Sequence, residues 1–190
     1  MVQKCTTCQE YHTALQKERL LPHDIPVRPW QSVATYLFVW NITNYVLVVV
    51  YYSNYFEIAQ LANTKSSTVI QHIKSMFARH GIPEVLISDN GPQYSSEEFR
   101  QFATTWGFIH KTSSPTYPQS NDLAERTVQA VKKLLKKAKA SGSCPFLSLL
   151  SYRNTPLQQT GSPAQLVLIN RRLRTDLPTH PKDRATSKTH

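Results

Sequence analysis

Two carboxylates, Asp89 and Glu125, have thirty-five residues between them, positions 90–124. Carboxylate oxygens are hard ligands suited to Mg²⁺ or Mn²⁺. A pair so far apart in sequence can act together only if the fold closes the gap, and the chemistry it then offers is capture of divalent metal. Asp89 follows the apolar run Val85-Leu86-Ile87 and precedes Asn90-Gly91-Pro92, so a short buried strand ends at the acid and a sharp turn follows. In α/β folds, functional carboxylates gather at strand ends, a rule made for parallel sheets and applied here by analogy.

Glu125 belongs to a predicted helix from Asn121 to about Ala140. Asn121 is a candidate N-cap, and Asp122 in the first turn suits the helix dipole. At about 100° per residue, Ala124, Val128, Val131, Leu135 and Ala138 make one apolar stripe. Glu125, Gln129, Lys132 and Lys136 run along its flank. Docking by the stripe would hold Glu125 at the rim of a sheet, with the lysines continuing the same ridge outward.

The elements that must position these residues are legible upstream. Residues 1–29 are polar and end in a stretch punctuated by Pro22, Pro26 and Pro29, which reads as a linker or upstream remnant. Three strands follow, Val33–Val39, Tyr45–Tyr52 and Phe56–Leu61, forming an antiparallel meander with polar turns at Asn41–Asn44 and Ser53–Asn54. The second is apolar almost throughout, as a strand covered on both faces would be. A helix capped by Thr64 or Ser66 runs to about His80, and Gly81-Ile82-Pro83 stops it. Beyond Asp89 come a helix from Ser96 to Trp106, a brief strand at Phe108–Lys111 and the proline-rich loop 113–120. Short helices are expected at Phe146–Tyr152 and Pro163–Leu168, and disorder after Pro178. Strands first and helices interleaved later make an α/β domain with a mixed sheet.

The chain carries 22 Lys and Arg against 12 Asp and Glu, a formal charge of +10. That balance favours a polyanionic partner such as DNA or RNA. Cys5, Cys8 and Cys144 are an odd set that closes no disulfide framework, which suits a reducing nuclear or cytoplasmic compartment. The longest apolar run, Tyr45–Tyr52, is too short to span a bilayer, and no small-molecule substrate is expected.

Several blocks together carry a family resemblance. They are His80-Gly81-Ile82-Pro83-Glu84-Val85, Ser88-Asp89-Asn90-Gly91-Pro92-Gln93-Tyr94, Ser113-Ser114-Pro115 with Tyr117-Pro118-Gln119-Ser120-Asn121, and Ala124-Glu125-Arg126. Tyr152-Arg153-Asn154-Thr155-Pro156, Gly161-Ser162-Pro163-Ala164 and Arg171-Arg172-Leu173-Arg174-Thr175 follow in order. With these blocks the chain resembles the integrase catalytic core of retroviruses and LTR retrotransposons, the gypsy type most closely, from about Trp30 to Pro178. The resemblance implies an RNase H-like fold with a five-stranded mixed sheet flanked by helices. It also implies two Mg²⁺ or Mn²⁺ ions held by three acids, DNA 3′-processing and strand transfer, and a homodimer. Asp89 matches the second acid and Glu125 the third; Gln129, Lys132, Lys136 and Asn121 are the candidate DNA contacts. Residues 30–178 would be the core, 1–29 the remnant of an N-terminal zinc module and linker, and 179–190 a tail.

The first acid is replaced. Where relatives read Thr-Asp-Leu-Phe, this chain reads Thr35-Tyr36-Leu37-Phe38. A phenol with a reference pKa of about 10 cannot stand in for a bridging carboxylate near neutrality. The nearest other acids are Asp24 and Glu57, and Val50 stands where relatives often carry an acid. Cys5 and Cys8 resemble half of a His-His-Cys-Cys zinc module, but His12 and His23 lie on the wrong side, so zinc is not expected there. The expectation is an integrase-derived nucleic-acid-binding protein with impaired catalysis. The alternative is a domesticated, non-enzymatic DNA-binding or protein-interaction module.

Overall fold

The computed structural model describes residues 26–113 and 122–155 together with Arg174. The sheet is mixed. Ser32–Trp40 (β1), Thr43–Val50 (β2) and Phe56–Leu61 (β3) form the antiparallel meander, and Val85–Ser88 (β4) and Ile109–Thr112 (β5) add in parallel on the other side of β1. Strand order is β3-β2-β1-β4-β5, so β1 is central. Four helices cover it: Ser66–His80 (α1), Glu97–Trp106 (α2), Asp122–Ser141 (α3) and Pro145–Asn154 (α4).

Strand alternation assigns side chains to two layers. Val46, Val48 and Val50 of β2 join Val69, Ile73 and Phe77 of α1 and Phe99 and Phe102 of α2 in one core. Leu47 and Val49 turn the other way and join Ala124, Val128, Val131 and Leu135 of α3 and Leu149 of α4. Val50 is fully buried, so this position has become a packing residue. Hydrophobic transfer contributes about 1.5–3 kcal/mol for each fully buried Val, Leu or Phe, which makes these two layers the main support of the fold.

Several boundaries differ from the sequence expectations. The β1–β2 turn is only Asn41-Ile42, both at positive φ, with Trp40 opposite Thr43. Asparagine suits that conformation; the fully exposed Ile42 tolerates it at a cost. Strand β2 ends at Val50, because Asn54 N–H donates to the Val50 carbonyl and folds the chain into a turn. Neither Thr64 nor Ser66 caps α1. Lys65 is the N-cap and offers no side-chain bond, while Asn63 Oδ1 organises the approach by accepting from Lys65 N–H at 3.0 Å and Thr68 Oγ1 at 2.8 Å. Ser96 does cap α2, accepting from Phe99 N–H at 3.2 Å. The helix expected at 163–168, the tail and most of residues 1–29 lie outside the described residues.

An ionic cluster that sequence reading did not anticipate ties the far edge together. Glu57 on β3 accepts from Tyr55 Oη at 2.7 Å and meets His80 Nε2 at 3.1 Å, Arg153 at 3.5 Å and Arg79 at 3.8 Å. Arg153 belongs to α4 and stacks its guanidinium over Tyr55 and Phe56, each centroid 5.2 Å away. It thereby clasps edge strand β3 and links α4 to the end of α1. Burial alone would raise the Glu57 pKa. The His80 and Tyr55 hydrogen bonds and the Arg153 charge outweigh burial and bring it down to about 2. A depressed folded pKa means a stabilising contribution that is complete above the ordinary value of 4.5 and lost as pH falls toward 2. Glu57→Gln is expected to destabilise the domain by on the order of 3 kcal/mol near pH 7 and to flatten the loss of stability between pH 5 and 3. Denaturant midpoints across that range check this; parallel curves for the two proteins would show that Glu57 is not held in this way.

Candidate functional site

The alternation of β1 sends Ala34, Tyr36 and Phe38 to the face that α3 covers. Parallel pairing of β1 with β4 aligns Ala34 with Ile87, which brings the end of β4, and Asp89 just past it, alongside the middle of β1. Glu125, in the first turns of α3, comes to the same place from above. Burial, then the negative charges of Glu125 and Asp89, raise the Tyr36 pKa from its ordinary 10.0. One phenol thus feels both acids, and it remains protonated at any physiological pH.

Between α3 and the second half of β1 lies an open groove of about 350 Å³, lined by Tyr36, Phe38, Glu125, Gln129 and Lys132 among others. The five stripe residues of α3 are all buried, and this orients its flank. Glu125, Gln129 and Lys136 are exposed, and Lys132 is half-buried with its ammonium 5.7 Å from the Phe38 ring centroid. Further along the ridge, Lys139 Nζ donates to Asn41 Oδ1 at 2.8 Å, which fastens α3 to the β1–β2 turn. The sequence candidates Asn121, Cys5 and Cys8 lie outside the described residues.

Asp89 is half-buried, and its turn is built around it. Its Oδ1 accepts from Gly91 N–H at 3.1 Å. A Cβ at Gly91 would lie 3.0 Å from that same oxygen and 3.1 Å from Gln93 Oε1, so a larger residue would press on the acid and shift its carboxylate by a few tenths of an ångström. Tyr94 then plunges into the core. Its hydroxyl lies 2.9 Å from Thr35 Oγ1, whose own proton goes to the Leu47 carbonyl, so Tyr94 is the donor. Burial holds Tyr94 protonated. Ser88 Oγ donates to the Asp89 carbonyl at 2.7 Å, which leaves it to accept from His110 Nε2 at 2.8 Å. Burial lowers the His110 pKa and favours the neutral ring, in which the tautomer with the proton on Nε2 makes this bond.

Sequence reading quoted Thr35, Ser88, Gly91 and Tyr94 within motif blocks but gave them no supporting role, and it did not single out His110. Tyr94 carried the one available signal, as the sole aromatic in an otherwise polar turn.

Among the described residues, Glu57 is the carboxylate nearest β1 in sequence. Glu57 pairs across from Val48 and faces the α1 layer, where His80, Arg79 and Arg153 occupy it. It cannot also serve the opposite face. Asp24 lies outside the described residues. Among the described residues no group of three His, Cys, Asp or Glu could hold a metal ion. Two carboxylates and a neutral phenol supply too few charged oxygen ligands, so the described residues do not fit a two-metal centre.

A central antiparallel meander extended by parallel strands, with an acid at the end of β4 and another on the covering helix, defines an RNase H-like integrase-core architecture. The Integrase core domain family model matches residues 23–118, and the chain belongs to that family. It is 38% identical over 162 residues to an uncharacterized protein of Caenorhabditis elegans, covering 82% of this chain and 13% of that protein. It is 33% identical over 141 residues to the Gag-Pro-Pol polyprotein of Sheep pulmonary adenomatosis virus, covering 73% of this chain and 8% of that one. The chain therefore spans only a small part of the curated relatives it matches. The fold is similar to the catalytic core domain of HTLV-2 integrase in complex with magnesium, with a TM-score of 0.62 and 19% identity, covering 74% of this chain and 98% of that one.

Convergence of the acids on Tyr36 can be measured. In a ¹³C NMR titration of the labelled tyrosines, Tyr36 is expected to ionise above 10.0. Its pKa should fall in the Asp89→Asn, Glu125→Gln double variant while remaining above 10.0, because burial is the larger cause. A Tyr36 pKa indifferent to both substitutions would mean that the acids do not meet there.

Proposed function

We propose that this chain is an integrase-core-like, nucleic-acid-binding domain derived from a retrotransposon DNA-integration enzyme, with impaired catalysis. The observation that carries the reading is the Tyr36 phenol, which lines the same groove as Glu125 and lies close enough to both acids for their charges to raise its pKa. In two-metal phosphoryl transfer, clustered carboxylates hold one ion at the attacking oxygen and one at the leaving oxygen. The pair Asp89 and Glu125 lacks the ligand that would bridge them, so no cleavage step is assigned to this chain. What remains is binding. Lys132 and Lys136, on one ridge of a chain with formal charge +10, offer phosphate contacts, and Gln129 sits between them and Glu125.

A second reading has its own observation. Phe146 is 79% exposed and Leu147 45% exposed at the start of α4, an apolar surface suited to a homodimer. No helix among the described residues is long and apolar enough to cross a membrane.

The purified protein is expected to show no Mg²⁺- or Mn²⁺-dependent strand transfer; robust metal-dependent turnover with native Tyr36 would overturn the reading. Tyr36→Asp is expected to raise Mn²⁺ affinity, measured by calorimetry, and an unchanged affinity would mean that Asp89 and Glu125 are not poised to share an ion. DNA affinity should fall steeply with salt. The double variant Lys132→Ala, Lys136→Ala should reduce the slope of log K against log salt by roughly 2 for duplex DNA. Salt-independent binding, or none at low salt, would favour the dimerising interaction module instead.

A further inference from the structure

We infer that the groove between β1 and α3 receives an unpaired nucleobase stacked on Tyr36, so that this domain prefers single-stranded over duplex nucleic acid. The inference rests on the nucleic-acid reading above and gives it a substrate class.

Charge in the groove divides its possible occupants. Glu125 lines the groove and the charge of Asp89 reaches Tyr36 from outside it, so both acids disfavour a phosphodiester at the end next to Tyr36. Lys132 and Lys136 attract one to the ridge outside. A strand following the lysines would therefore keep its phosphates on the ridge and could direct only an uncharged group toward the acids. A nucleobase suits that position: it is flat and neutral, and its ring N–H or exocyclic amino groups can donate to the Glu125 carboxylate or the Gln129 carbonyl.

Tyr36 adds what a carboxylate at this position could not, an aromatic face. It lines the groove and is half-buried, so part of its side chain remains open to a ligand. Behind it the same sheet face is aromatic. Phe38 stacks on Tyr45 at 5.3 Å with planes 14° apart, and Lys132 lies over Phe38. The groove, at about 350 Å³, falls at the low end of ligand pockets, roughly 300–1,000 Å³. Stacking of one base on an aromatic side chain is worth about five- to 150-fold in affinity and tolerates any base. Bases in a duplex are already paired and stacked, and cannot enter without unpairing.

The test uses 12-residue oligonucleotides with one central 2-aminopurine, as DNA, as RNA and as the blunt DNA duplex, in EDTA. Native protein is expected to bind a single strand at least about tenfold more tightly than the duplex and to quench the 2-aminopurine fluorescence. The DNA and RNA arms share the unpaired base, so quenching in either supports the stack and their ratio identifies the preferred sugar. Tyr36→Phe should keep both effects; Tyr36→Leu should lose the quenching and about tenfold in single-strand affinity. Equal affinity for single strand and duplex without quenching removes the stacking inference and leaves the nucleic-acid reading intact. Absence of binding by every oligonucleotide at low salt removes both. Native strand preference and quenching decide the matter even if the leucine variant does not fold.

Discussion

The seating of α3 on one face of the sheet is the constraint on which the candidate site depends. Ala124, Val128, Val131, Leu135 and Ala138 are each buried to within a few per cent of completely. Small residues at both ends of the stripe let the helix lie close to β1 and β2, and the larger ones fill the middle. The flank has no freedom once the stripe is seated. Glu125 must overhang the centre of β1, and the lysines must follow the groove outward. A helix rotated by one residue would turn by about 100° and carry Glu125 away from Asp89.

The second constraint is the parity of β1. Successive residues face opposite layers, so Thr35 reaches Tyr94 on one side while Tyr36 meets the acids on the other. This separates the scaffold of the site from its chemistry. Thr35, Tyr94, Gly91 and Ser88 hold the strand-end turn by packing and hydrogen bonds, none of which requires a metal ion. A carboxylate can consequently be replaced at position 36 while the surrounding geometry stands. The integrase-core architecture of this chain therefore does not depend on a metal-competent set of acids.

The fold was legible to the extent that local pattern dictates it. Each strand and helix expected within the described residues is present, with ends shifted by a residue or two, because period-2 and period-3.6 burial leave their mark directly on composition. The end effects escaped for local reasons: Asn63 rather than Thr64 organises the start of α1, and a backbone bond from Asn54 ends β2 early. The Glu57 cluster escaped for a different reason. Its partners come from β3, α1 and α4, and only the closed fold makes neighbours of Glu57 and Arg153. The same assembly rules out Glu57 as a substitute acid. Glu57 is near Tyr36 in sequence, yet strand parity and three cations commit it to the opposite layer.

The sequence by itself determined the order and kind of the elements, and it supplied Asp89, Glu125 and the Tyr36 phenol as the residues of the candidate site. Those are properties of residue type and spacing, and they persist in an unfolded chain. Tertiary structure alone decided that Asp89 and Glu125 act on the same phenol, that Gly91 packs close beside a carboxylate, and that Glu57 is committed to the opposite layer. Proximity, burial and field depend on which faces meet. A pair of acids thirty-five residues apart becomes a site only when β1, β4 and α3 are packed together.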